Sequence, residues 1–103
     1  MEFVTLGDPV ESPISELRGD VMAAVEKAVH ARYPDVTILA HMSSGGTDGM
    51  HFRSAGIPTW AVSSIFMKAD DKFAHGLNER LPIKTFYDGL DHWTIILKEL
   101  AGR

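Results

Sequence analysis

Two short stretches hold the residue types that could do chemistry. The first is SSGGTDG, residues 43–49, set between the apolar runs VTILA (36–40) and IPTWAVS (57–63). A loop running from a strand into a helix start leaves backbone N–H groups unpaired and meets the positive end of the helix dipole. Gly45 and Gly46 tolerate backbone angles that other residues resist, so a ligand can approach the main chain there. Ser43, Ser44 and Thr47 add hydroxyl donors. Such a cradle suits a carboxylate or a phosphate. It is not a nucleotide phosphate loop, because no lysine follows the second glycine at the required place. It is not a nucleophile elbow either, because two glycines follow Ser44. On its own, the loop is better explained as a plain strand-to-helix connection that needs glycine.

The second stretch is AHGLNERLPI, residues 74–83, where His75 precedes Glu79 by four positions. The chain has 5 histidines and no cysteine. Disulfides and thiolate metal sites are therefore excluded, and carboxylates would have to complete any zinc site. One histidine cannot hold zinc, which takes three or four ligands. No His-x-x-x-His or His-Glu-x-x-His spacing occurs. His30 and His92 fall on helical segments at positions compatible with solvent, so both are expected to be solvated. His51 lies inside a short helical segment. His41 stands where a strand meets the glycine loop, a common place for ligand-facing residues in α/β folds.

The elements that must position these residues can be read from periodicity. EFVTL (2–6) alternates like a short strand, and GDPVESP (7–13) breaks regular structure. Leu17, Val21, Ala24, Val25 and Ala28 form a helical apolar stripe that Pro34 ends, with Ser15 or Arg18 as candidate starts. VTILA reads as a buried strand. DGMHFRSA (48–55) reads as a short helix capped by Thr47 or Asp48 and stopped by Gly56, and IPTWAVS as a further strand. Strand, helix and strand in succession predict a βαβ unit with parallel strands. Residues 64–82 lack a period and form a long loop, a common carrier of function. A last helix starts near Thr85, with Thr85 and Asp88 as a capping box. Phe86, Leu90, Trp93, Leu97 and Leu100 give it a wide apolar stripe. Gly89 inside that helix implies that something packs closely against it.

Composition bounds the function classes. The chain has 103 residues, 45% of them hydrophobic and 23% charged, which fits one small globular domain. A net charge of −4 and the lack of any long basic run argue against nucleic acid or an anionic membrane as partner. No window approaches the roughly 18 apolar residues of a membrane-spanning helix. The first residues lack the basic flank and apolar core of a signal peptide. The compartment stays open, since a leader could belong to a longer parent protein.

Taken as whole phrases, SSGGTDGMHFRSAGIPTWAVS, AHGLNERLPIKTFYDGLDHW and DPVESPISEL resemble the C-terminal part of a co-catalytic zinc peptidase. That family contains glutamate carboxypeptidase, aminoacylase, succinyl-diaminopimelate desuccinylase and the dipeptidases. The resemblance covers most of residues 9–101, with both motifs in the expected order. It implies an α/β fold: a three-layer half-domain of the phosphorylase/hydrolase-like type with a mostly parallel sheet. The elements would run strand, helix, strand, short helix, strand, helix. Residues 1–8 would end a lid-domain strand and cross back, and residues 9–103 would form the C-terminal half of the catalytic domain. The intact family site holds two zinc ions and acts on a peptide or N-acyl amino acid near a free carboxylate. By the same resemblance, His75 is a metal ligand and Gly45, Gly46 and Thr47 face the substrate. Asn78 and Glu79 would orient the ligand. Asp48 would organise the loop, by capping the short helix or pairing with Arg53. The general base and remaining ligands would lie in a missing N-terminal half, leaving this chain inactive alone. The competing reading is a non-catalytic, free-standing α/β module that binds a small anion or self-associates.

Overall fold

In the computed structural model, residues 11–42 and 46–102 are described. Three stretches become α-helices: α1 (Gly19–His30), α2 (Gly49–Ser54) and α3 (Ile83–Ala101), with a 3-10 turn at Ala69–Asp71 before α3. These described residues are 45% helical and contain no strand. The expected α/β architecture with a parallel sheet is therefore not formed. The runs 36–40 and 57–63 are irregular, and the expected strand at 2–6 lies outside the described residues. The physical reason lies in how strands are specified. A β-branched run states a local preference for extended backbone, but a sheet exists only where a second chain segment supplies the ladder. Here the main-chain N–H of Thr59 goes to a side chain, the Ser15 hydroxyl, at 2.9 Å.

The chain divides into two units, Met1–Glu16 with Ala40–Ala61, and Leu17–Leu39 with Val62–Arg103. The second unit is built on α1 packed against α3. Its core is Ala24, Val25, Ala28 and Val29 from α1 and Ile96 from α3. Alanine at two of these positions lets the helices approach closely. Val21, Ile38, Val62, Phe66 and Ile95 pack around that centre. Charges sit at the rim: Lys27 pairs with Glu99, and Arg32 reaches Asp88 at 3.0 Å and Asp91 at 3.4 Å.

α1 starts after Arg18, which supplies no side-chain cap but holds Asp20 at 2.7 Å. Both partners of that pair are more than half exposed, so it adds little. The N–H groups of Arg32 and Tyr33 both fold back on the Val29 carbonyl, at 3.1 and 2.8 Å. Pro34 then prevents continuation.

α3 begins at Ile83, two residues before the expected start, and has no side-chain cap. The expected capping box is absent. Thr85 is buried, and its hydroxyl donates to the Phe66 carbonyl at 3.0 Å. Asp88 instead accepts from Lys84 at 2.5 Å and pairs with Arg32. The face that α3 buries is Thr85, Gly89, His92 and Ile96. The stripe that looked like core, Phe86, Leu90, Trp93, Leu97 and Leu100, is 38–58% exposed. With Ile83 it makes a continuous 3-4 heptad seam along the outer side.

In the first unit, α2 ends in a Schellman turn. Gly56 adopts a φ of 87°, its N–H bonds to Arg53 O at 3.0 Å, and the Ile57 N–H bonds to Phe52 O at 3.0 Å. Side chains then tie residues 53–60 to residues 11–16. Arg53 Nε donates to Ser12 Oγ at 2.7 Å, Ser54 Oγ to Glu11 O at 3.0 Å, and Trp60 Nε1 to Glu16 O at 3.1 Å.

Candidate functional site

The sequence-derived site residues fall in both units. Gly46, Thr47, Asp48 and Arg53 belong to the first, and His75, Asn78 and Glu79 to the second. Gly45, with Ser43 and Ser44, lies outside the described residues.

In the first unit, Gly46, Thr47 and Asp48 are exposed. Asp48 occupies the N-cap of α2 without a side-chain cap hydrogen bond. The Met50 and His51 N–H groups are already donated to the carbonyls of Thr47 and Asp48, at 3.1 and 3.2 Å. In this conformation those two donors do not face a ligand. Arg53 does not pair with Asp48. Its guanidinium turns to Ser12 and to the Thr59 carbonyl, at 3.2 Å. This position explains a glycine the sequence reading passed over. A Cβ at Gly49 would stand 3.0 Å from Arg53 Nη1 and 3.4 Å from Thr59 Cγ2. Of the described glycines in this loop, Gly49 is therefore the one with close neighbours, beneath the arginine. At Gly46 a Cβ would meet only Met50 Sδ, at 3.9 Å.

In the second unit, His75 sits on a loop closed by its own contacts. The Arg80 guanidinium stacks 3.5 Å from the Phe73 ring centroid, a contact worth about 0.5–1 kcal/mol at an exposed place. The Gly76 N–H returns to Phe73 O at 3.3 Å. His75 has a φ of 61°, in the left-handed region that histidine enters more readily than most residues. Its own N–H makes a long bond, 3.4 Å, to Glu79 Oε1. Glu79 therefore fixes the backbone of His75 rather than its ring. His75 and Asn78 are both exposed, so the imidazole is displayed to solvent.

No group of three or more histidine and carboxylate side chains that could hold a metal occurs among the described residues. An imidazole such as that of His75 can serve as one zinc donor, and the described residues do not supply the others. A depression of about 430 Å³ is lined in part by Met22, Glu26, His30 and Asp35. There His30 Nε2 lies 2.9 Å from the Val36 carbonyl. His41 and His51 are exposed.

His92 departs furthest from expectation. It is 2% exposed rather than solvated, and neither ring nitrogen has a hydrogen-bond partner. The Phe66 ring meets it edge-on, with centroids 5.2 Å apart. Burial pushes its pKa below the ordinary 6.5. The Ala28 carbonyl opposes that shift, and the Arg32 charge adds to it. A signal for this burial is present in the sequence: Thr85, Gly89, His92 and Ile96 share one helix face beside the more apolar one.

Comparison with protein-family models, with curated proteins and with solved structures gave no match for the chain.

Proposed function

We propose that this chain is one part of a zinc-dependent hydrolase that cleaves a peptide or N-acyl amino acid near a free carboxylate. His75 presents its imidazole to the metal, and Gly45, Gly46 and Thr47 line the substrate side. The other ligands and the general base come from a segment outside these residues, so the chain alone does not hydrolyse. Two zinc ions would serve the complete site. Bound zinc lowers the pKa of its water and polarises a carbonyl. The chain's own task is to hold one imidazole in place. The observation that carries the reading is the display of His75. Its ring is exposed, while Glu79, Phe73 and Arg80 hold the loop beneath it. The sequence phrases around His75 and the glycine loop supply the reaction class.

The test is the reading frame upstream of Met1 and the activity of its product. A His-x-Asp phrase and an adjacent glutamate pair are expected there. In that product, His75→Ala should remove most hydrolysis of N-acyl amino acids and leave the circular dichroism spectrum unchanged. Absence of both upstream phrases ends the proposal.

A second reading, a non-catalytic module that self-associates, is favoured by the exposed seam of α3. Its exposed flanking positions Tyr87, Thr94 and Ala101 carry no charge to repel a second copy. Sedimentation across concentrations separates the readings. A dimer that Trp93→Glu abolishes supports self-association, and a strict monomer rejects it.

A further inference from the structure

An imidazole with two unpartnered nitrogens inside a helix pair is unusual, because buried polar groups nearly always find partners. His92 is such a group, and the proposed hydrolase site makes no use of it. Apolar side chains make up the core beside it: Ala24, Val25, Ala28 and Val29 of α1, and Ile96 one turn further along α3. Phe66 meets the ring edge-on, and Tyr33 packs on Phe66 at 5.1 Å.

We propose that His92 is an acid-sensitive latch on the α1–α3 pair. The neutral ring is tolerated as an apolar plug. Uptake of one proton from solvent makes it a buried cation, and the helices must part to hydrate it.

The charged groups around it do not rescue that cation. On the α1 side, the Ala28 carbonyl favours the imidazolium, but burial outweighs it, and the charge acting on the ring is Arg32, of the same sign as an imidazolium. On α3 the carboxylate one turn earlier, Asp88, is already held by Arg32 and Lys84. The segment 62–66, Val-Ser-Ser-Ile-Phe, brings no ionisable side chain. Neither does the buried part of α1.

The sign follows from linkage. The folded pKa lies below the unfolded one, so the unfolded chain binds more protons in between. Stability is therefore full above about pH 6.5 and is lost as pH falls toward the folded value. Over that interval one proton raises the unfolded fraction by up to about tenfold per pH unit.

The experiment is thermal unfolding of the 103-residue chain, followed by far-ultraviolet circular dichroism. It runs from about pH 7.5 to about pH 5.5, where an ordinary imidazole charges. The wild-type midpoint should fall across this range, and the His92→Leu midpoint should stay nearly level. The other four histidines are common to both proteins. In parallel, NMR of chain carrying carbon-13 histidine should show His92 titrating below an ordinary imidazole, together with loss of α1–α3 contacts. This second measurement decides the matter even if His92→Leu does not fold. Equal pH slopes in the two proteins would overturn the proposal. So would a His92 that titrates as an ordinary imidazole while the helices stay packed.

Discussion

Replacing Gly89 by alanine tests whether residues 62–66 are seated on α3 as the structure has them. Glycine inside a helix costs about 1 kcal/mol relative to alanine, so an unobstructed replacement should stabilise by roughly that amount. Here a Cβ at Gly89 would stand 3.1 Å from both the carbonyl oxygen and the hydroxyl oxygen of Ser64. The hydroxyl can rotate away. The carbonyl cannot easily move, because the chain is pinned two residues later. The Phe66 carbonyl accepts from Thr85, and its ring contacts Tyr33 and His92. Overpacking of this kind costs about 1–3 kcal/mol, which exceeds or cancels the propensity gain. The expected net effect is a loss of about 0–2 kcal/mol. Gly19→Ala is the control in the same unit. A Cβ there meets nothing within 4 Å, and its φ is not positive. That replacement should gain about 0.4–1 kcal/mol. Urea unfolding followed by circular dichroism reads both, and the two changes should have opposite signs. If Gly89→Ala stabilises as much as Gly19→Ala, segment 62–66 does not rest on α3 and the reasoning fails.

Two further outcomes are expected. Ile96 is 3% exposed and is the α3 contribution to a five-residue core, so Ile96→Ala should cost about 2–5 kcal/mol. Against a typical total of about 5–15 kcal/mol, that should broaden or abolish the thermal transition, and a loss below about 1 kcal/mol would contradict the packing. By calorimetry the chain alone should bind zinc weakly, because the described residues place no cluster of donors around His75. A tight one-to-one zinc site that survives His75→Ala would remove His75 from the proposed role.

The helices were legible in the sequence, whereas the sheet expected from it is not formed, and the difference is one of range. α2 carried its own boundary signals, with Asp48 before it and the left-handed Gly56 after it. α1 carried a periodic apolar stripe and a following proline. These are local facts. The runs 36–40 and 57–63 carried only β-branched composition, and what they pair with is a non-local fact that no short window contains. The same limit applies to the candidate site. The exposed His75 lies in a readable loop, whereas the partners of Arg53 are Ser12, 41 positions earlier, and Thr59. Its nearby carboxylate, Asp48, was the natural guess and the wrong one.

α3 shows most sharply where reading a stripe goes astray. Apolar periodicity says which face of a helix wants cover, and says nothing of what covers it. Two stripes at heptad spacing lie side by side on α3. One holds Thr85, Gly89, His92 and Ile96, and the other holds Ile83, Phe86, Leu90, Trp93, Leu97 and Leu100. Ranking by hydrophobicity selects the second as core. The structure buries the first: Ile96 packs on the small and β-branched residues of α1, while Gly89 lies under Ser64, and Thr85 and His92 meet Phe66, a seat that a tryptophan would not fit. The more apolar stripe is then left outside, and removing it from water would stabilise by about 25 cal/mol for each Å² covered. Among the described residues this seam is open, and His75 is displayed to solvent, as are His41 and His51. Both the hydrolase reading and the self-association reading need a second surface against α3. Only the hydrolase reading also gives His75 a purpose, which is why a partner segment that covers the seam should be the one that brings the remaining metal ligands.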